Sequence, residues 1–204
     1  MHKIITIGRQ FGSGGREFGK RLADELGCPY YDREIMEEIA KRTELAEEYV
    51  HRIVEQRPDF HFPITVGRSF HSGAPEYLMH QQASVYAEQT NTICDLASKS
   101  DCVIVGRCAD YILRDMNPTR IFVYADMESR IARCRRKGAM DENLSDAQMR
   151  RKILAIDRGR RNYYRYYTGQ AWGNRANYDI CLNTSHTDIK SAAHALATMI
   201  KAEE

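Results

Sequence analysis

Residues 3–17, Lys-Ile-Ile-Thr-Ile-Gly-Arg-Gln-Phe-Gly-Ser-Gly-Gly-Arg-Glu, constrain the fold more than any other stretch of the chain. A short β-branched run breaks into glycines at positions 8, 12, 14 and 15, and an amphipathic segment follows without a gap. Strand, glycine turn and helix in immediate succession can cradle an anion. Backbone N–H groups of such a turn face inward, and the helix N-terminus adds the positive end of its dipole. Only residues without a side chain allow the backbone that close. Gly12, Ser13, Gly14, Gly15, Arg16 and Glu17 are therefore the candidates for holding the phosphates of a nucleotide.

The common phosphate loop, G-x-x-x-x-G-K-[ST], puts a lysine on the β- and γ-phosphates and a hydroxyl on Mg²⁺. With Gly12-Ser13-Gly14 as the turn, the lysine position holds Gly15, Arg16 follows it, and Glu17 stands where a threonine could sit. Arg16 is the candidate to supply the lysine's charge. Its planar fork suits phosphate, with a geometry different from that of an ammonium. The plain alternative is a glycine turn that only joins a strand to a helix.

Apolar runs recur at 3–7, 29–31, 102–106, 120–125 and 179–183, with helical patterns between them. Phe18, Leu22 and Leu26 repeat at fourfold spacing, one face of a helix over 16–26. Arginine-rich helical stretches cover 127–137 and 145–166, and Ser145-x-x-Gln148 opens the second with a capping-box pattern. Segment 187–202 carries Ile189, Ala192, Ala193, Leu196 and Ile200 on one stripe and predicts a docked C-terminal helix. Nearly continuous apolar strands alternating with helices predict an α/β fold, its parallel sheet covered on both faces. The block between the second and third strands is long for a connection. Helical patterns at 33–56 and 76–99 flank a stretch at 57–75 that glycines and prolines mark as a loop or hairpin. The block reads as an inserted substrate subdomain within a single domain over 1–204.

Composition narrows the class. Hydrophobic residues at 43% and charged residues at 28% argue for a soluble globular protein and against disorder. A formal net charge of +2 gives no overall field favouring nucleic acid. No apolar run approaches the roughly 20 residues that span a membrane, and Met-His-Lys-Ile-Ile enters a strand without a secretory pattern. Cysteines 28, 94, 102, 108, 134 and 181 form no C-x-x-C pair. They read as reduced, small hydrophobic residues of a cytoplasmic protein rather than as a zinc site. Ser13 and Ser69 have no His–acid partners, so the pattern does not support nucleophilic catalysis.

Ligands of a doubly wound sheet bind beyond the C-terminal ends of its strands. Those ends here read Tyr30-Tyr31-Asp32-Arg33, Gly106-Arg107-Cys108-Ala109-Asp110, Tyr124-Ala125-Asp126 with Arg130 and Arg133 behind it, and Asn183-Thr184. Arginines and acids gathered there suit phosphoryl transfer, whose transition state is stabilised by positioned positive charge.

The segments at 8–17, 30–34 (Tyr-Tyr-Asp-Arg-Glu) and 103–110 (Val-Ile-Val-Gly-Arg-Cys-Ala-Asp) carry a family resemblance. Asp157-x-x-Arg160, Tyr-Tyr-Thr-Gly at 166–169 with Trp172-Gly173, and Tyr178-Asp179 through Asn183-Thr184 extend it. Together they resemble the cytidylate kinase-like family, a branch of P-loop nucleoside monophosphate kinases, over almost the whole chain. The resemblance implies a three-layer α/β/α fold with a five-stranded parallel sheet in the order 2-3-1-4-5. It also implies a helical monophosphate-binding insertion at 33–99 and a lid at about 127–166. The implied reaction moves the ATP γ-phosphoryl, with Mg²⁺, to a nucleoside monophosphate of the CMP or dCMP kind. Arg107 matches the arginine of a Gly-Arg-Asp motif that grips the acceptor phosphate, and Asp157 with Arg160 matches the Asp-x-x-Arg that faces the monophosphate. Arg130 and Arg133 match the Arg-x-x-Arg of a lid helix that closes over the donor phosphates. The chain departs from the family pattern at Gly15, at Cys108 in place of the motif's aspartate, at Arg33 in place of a base-reading serine, and at Ile153 in place of a lid-end arginine.

The expected catalytic set is thus Arg16, Arg107, Arg130 and Arg133, and the substrate-binding set Asp32, Arg33, Arg107, Asp110, Asp157 and Arg160. Each also has a plainer reading. Arg107 suits a structural ion pair, Asp32 a helix cap, and Asp157 with Arg160 a pair along one helix. Arg130 and Arg133 suit a solvated face, and the tyrosines at 163–167 suit helix packing more than base stacking. Two other functions stay open: a kinase of a different small acceptor, and a nucleotide-binding regulatory module with little turnover. Small-molecule nucleotides are the expected partners, nucleic acid and membrane are not, and the sequence is compatible with a homodimer.

Overall fold

The computed structural model describes residues 2–55, 74–136 and 144–202. Strand β1 (Ile4–Arg9) lies at the centre of a five-stranded parallel sheet. It pairs with β3 (Cys102–Val105) on one side and β4 (Thr119–Tyr124) on the other. The short β2 (Tyr30–Tyr31) and β5 (Ile180–Asn183) form the edges, so the order is β2-β3-β1-β4-β5, as the family resemblance implies.

Alternation along the strands sorts the core into two layers. Ile4, Cys102 and Ile104 face one side, together with helices α2 (Arg33–Thr43), α3 (Glu47–Glu55), α4 (Ala74–Lys99), α5 (Ala109–Ile112) and α7 (Asp146–Thr168). Ile5, Ile7, Val103, Val105, Ile121 and Val123 face the other, under α1 (Gly15–Leu26) and α8 (Ile189–Ala202). Phe18 and Leu22 of α1 are fully buried, and Ile189, Ala193 and Ile200 of α8 are buried beside them. Helix α6 (Met127–Arg136) follows β4.

Ser145 and Gln148 complete the capping box at the start of α7, each side chain bonded to the other's backbone amide. The glycine- and proline-rich stretch expected at 57–75 lies, up to residue 73, outside the described residues, and so does 137–143 of the expected lid. Tyr163 and Tyr164 are buried in the core, and Tyr167 stacks on Tyr86 with ring centroids 3.9 Å apart. Tyr163, Tyr164 and Tyr167 thus pack helices, while Tyr166 is exposed. All five strands end at one edge of the sheet, and the expected site residues gather there.

Candidate active site

The glycine loop between β1 and α1 is held from several sides. Gln10 continues the ladder to β4, donating its amide to Val123 O at 3.0 Å and accepting from the Ala125 amide on Oε1 at 3.2 Å. Ser13 folds back on Gln10 O through its hydroxyl at 2.9 Å and its amide at 3.3 Å. Gly14 caps α1 at φ 83°, a conformation that costs other residues roughly 1–2 kcal/mol. A Cβ there would also lie 2.4 Å from Ile189 Cδ1, so both backbone and space require glycine.

The three loop carbonyls point to α6 and to the segment after β5. Arg130 Nε donates to Phe11 O at 2.7 Å, Arg133 Nη1 to Gly12 O at 2.9 Å, and Thr184 Oγ1 to Ser13 O at 2.6 Å. In a planar trans peptide the next N–H points the opposite way. The amides of Gly12 and Gly14 therefore face the other side of the loop, where the first-turn amides of α1 begin. One of the expected amides, and the amide just before them, are engaged within the protein. That of Ser13 meets Gln10, and that of Phe11 donates to Asp157 Oδ1 at 2.8 Å.

Arg130 and Arg133 are only 4% and 9% exposed, so they do not form a solvated face. Arg133 also donates to Thr184 O at 3.0 Å, and Arg130 pairs with the buried carboxylate of Asp157. A buried carboxylate needs such a partner. Arg130, Arg133 and Thr184 hold the loop by its carbonyls, and Asp157 holds it by the Phe11 amide. Asp157, expected at the acceptor phosphate, faces the loop, and the two arginines expected over the donor hold its backbone.

Asp32 occupies the cap position of α2 but makes no capping bond. Its carboxylate is instead shared between two arginines: Arg16 Nε at 2.6 Å and Arg9 Nη2 at 3.4 Å. Arg16 is 46% exposed along its side chain, whereas Arg9 is buried. Burial and the neighbouring Asp32 push the Tyr30 hydroxyl up to about 12. Arg33 is exposed at the start of α2 and lines neither of the cavities described next.

Beside the loop, a cavity of about 40 Å³ is lined by Arg9, Arg107, Arg160, Asp110, Tyr164 and Trp172 among others. Three successive residues after β3, Gly106, Arg107 and Cys108, have φ of 75°, 60° and 53°. The left-handed turn aims Arg107 at the cavity, and backbone strain of this kind clusters at functional sites. It is fixed by Gln89 of α4, whose Nε2 donates to Arg107 O at 3.0 Å and whose Oε1 accepts from Tyr163 at 3.2 Å. Asp110 accepts from the Tyr164 hydroxyl at 2.7 Å, and burial raises its carboxyl above the ordinary range. Burial also raises the Cys108 thiol far up, so this residue is an inert apolar group where the family motif has an acid. Arg160 reaches Arg9 O at 3.4 Å and lies over the Phe11 ring at 5.7 Å.

Across the loop, a second cavity of about 540 Å³ lies between α1, α6 and the segment joining β5 to α8. Glu17, Arg133, Arg136, Thr184, His186 and Asp188 line it. Glu17 also pairs with Arg21 at 3.1 Å. Glu17, Arg133 and Thr184 are legible as candidates, but the space between them is not, because the rest of its wall, 185–188, is an irregular polar segment without a motif. Arg9 and Gln89 were likewise missed. Arg9 looks like the end of a strand, and the only trace of Gln89 is a polar residue on a buried helix face.

A parallel sheet in this order, with a glycine loop after its central strand and basic residues at the strand ends, defines the P-loop kinase fold. The chain belongs to the cytidylate kinase-like family, whose model matches residues 4–186. Among solved structures it is similar to an uncharacterized protein from Eubacterium ventriosum, at 25% identity and a TM-score of 0.71, covering 98% of this chain and 99% of that one. It also resembles in fold the shikimate kinase of Bacteroides thetaiotaomicron, at 15% identity and a TM-score of 0.57, covering 98% and 99%. A third likeness is to the shikimate kinase of Acinetobacter baumannii in complex with shikimate, at 14% identity and a TM-score of 0.52, covering 100% and 95%. No curated protein matches the chain. Among the described residues, no helix is long and apolar enough to cross a membrane.

Proposed function

We propose that the protein transfers the γ-phosphoryl group of ATP to a small anionic acceptor, with a nucleoside monophosphate of the CMP or dCMP kind as the first candidate. The observation that carries this reading is the convergence of Arg9, Arg107 and Arg160 on one cavity beside the glycine loop. Three guanidiniums around one small space favour a doubly charged oxyanion, and their forks match phosphate oxygens. The donor phosphates would sit on the amides of Gly12, Gly14, Gly15 and Arg16. The larger cavity beyond Arg133 and Thr184 has room for the nucleoside part of the donor.

An acceptor phosphate is already a nucleophile. One of its oxygens forms a bond to the γ-phosphorus while the bond to the bridging oxygen breaks and ADP departs. The protein's part is alignment and charge neutralisation. Arg107 and Arg160 would orient the acceptor. Arg130, Arg133 and Asp157 would act through the loop by fixing its backbone. Mg²⁺, which takes one or two carboxylates beside substrate phosphates and waters, would be held mainly by the donor phosphates, because the Asp32 carboxylate is already shared by Arg9 and Arg16. Such an ion would neutralise charge on the donor oxygens. The six free thiols fit a reducing, cytoplasmic setting.

A second reading, a kinase of a smaller acid, is favoured by the size of the arginine-lined cavity. About 40 Å³ holds a few waters or one acidic head group. Turnover with MgATP across nucleoside monophosphates and small hydroxy acids tests both. Phosphorylation of CMP or dCMP supports the first reading, and phosphorylation of a hydroxy acid alone supports the second. MgATP binding without turnover of any acceptor would overturn both in favour of a regulatory module. In the active case, Arg107→Ala raises the acceptor KM or abolishes transfer, with a loss of roughly 100-fold in kcat/KM for a charged hydrogen-bond donor to phosphate. Its melting temperature serves as the control for folding.

A further inference from the structure

We infer that Arg9 supplies the positive charge that a phosphate loop ordinarily takes from its lysine, and that the loop has exchanged the positions of cation and glycine. The inference rests on the nucleotide-site reading above. When Gly14 is set at the second glycine of G-x-x-x-x-G-K-[ST], the first glycine position falls on Arg9 and the lysine position on Gly15. The sequence thus shows a cation where glycine is usual and glycine where the cation is usual.

The two positions meet in space. A Cβ built on Gly15 would lie 2.5 Å from Arg9 Cβ and 3.1 Å from Arg9 Cγ. The stem of Arg9 therefore fills the space through which a side chain at 15 would leave. Further along, a Cβ on Gly106 would lie 1.6 Å from Arg9 Nη1. Two glycines, one opening α1 and one ending β3, give way to a single arginine side chain. Its guanidinium reaches from the loop to the arginine-lined cavity, at the junction where a phosphoryl group would pass from donor to acceptor.

Arg16 is the competing candidate, and its surroundings differ. Its Nε is held by Asp32 at 2.6 Å and its side chain is 46% exposed, so it flanks the loop from the solvent side. Arg9 is 6% exposed, and its link to the same carboxylate is longer, 3.4 Å. The two arginines meet one carboxylate, and of the two guanidiniums that of Arg9 is the buried one. Burial strengthens the attraction of a guanidinium for an incoming anion.

The test is binding rather than turnover. Calorimetry would measure the affinity of a non-hydrolysable Mg–ATP analogue for the wild type, Arg9→Met, Arg16→Met, Gly15→Lys, and the double variant Arg9→Gly with Gly15→Lys. Arg9→Met keeps the aliphatic stem and removes the charge. It should weaken binding about ten-fold or more, and more than Arg16→Met does. Gly15→Lys alone should weaken binding because Arg9 blocks it, and the double variant should recover most of that loss, a coupling that independent sites do not show. Far-UV circular dichroism and melting without ligand establish folding. Should Arg9→Met not fold, Arg9→Gln takes its place with the same expected loss, and Arg9→Lys should stay within a few-fold of wild type. Arg9→Met binding as tightly as wild type, Arg9→Lys binding as weakly as an uncharged variant, or losses in the double variant that simply add would each overturn the inference while the nucleotide site stands. Absence of binding to the wild type would overturn both.

Discussion

At the scale of single residues, the site is built from charges whose partners are specific. Asp110 illustrates the energetic side. Burial raises its carboxyl, with the Tyr164 hydroxyl opposing part of the shift. A raised folded pKa means that the native state binds the proton more tightly than the unfolded chain does. The stability this gives is complete below the unfolded carboxyl value of about 4 and is lost as pH rises through the folded pKa. Asp110→Asn keeps an acceptor for Tyr164 and removes the ionisation. Melting curves from pH 4 to pH 7 should therefore show the variant gaining on the wild type as pH rises, and a constant difference would sink this account. Single residues were also where the sequence was least legible. Asp32 looks like a cap, and only its distances to Arg9 and Arg16 show what it holds. Asp157 shows its spacing to Arg160 in sequence, but the direction of its carboxylate is decided by Phe11 and Arg130, which are distant along the chain.

At the scale of elements, local signals served better. Short β-branched runs and fourfold apolar spacing marked the strands and helices, because burying one face is what fixes each of them. The cap of α7 is an example: Ser145 accepts from the Gln148 amide at 3.3 Å, and the Gln148 side chain accepts from the Ser145 amide at 2.8 Å. Ser145→Ala should cost about 1 kcal/mol, lowering the melting temperature by roughly 2–4 °C in a domain of this size. An unchanged melting temperature would mean that this end of α7 contributes nothing to global stability. Helix α6 was legible as a helix but not in its role. An Arg-x-x-Arg spacing puts both side chains on one face, and only the fold shows that this face meets the carbonyls of Phe11 and Gly12.

At the scale of the whole molecule, the sheet order was legible through the family resemblance, since the same strand ends carry the same motif segments. What escaped was the space between elements: two cavities separated by the loop, with Arg9 reaching one and Arg133 lining the other. A ligand that bridges them binds the folded chain alone, so MgATP should stabilise it by about 2.7 kcal/mol at one hundred times its dissociation constant. That is a rise of roughly 5–11 °C in melting temperature. Scanning fluorimetry should show the rise growing with the logarithm of nucleotide concentration, and a flat response would exclude a donor site. The clasp of Arg130, Arg133 and Thr184 on the back of the glycine loop has one more consequence. Anything that shifts α6 tugs on two consecutive peptide planes through Arg130 and Arg133, and the opposite side of the first presents the amide of Gly12. In the proposed reading, grip on a phosphate and the posture of a helix more than a hundred residues downstream are thus mechanically one variable, so slackening either loosens the other.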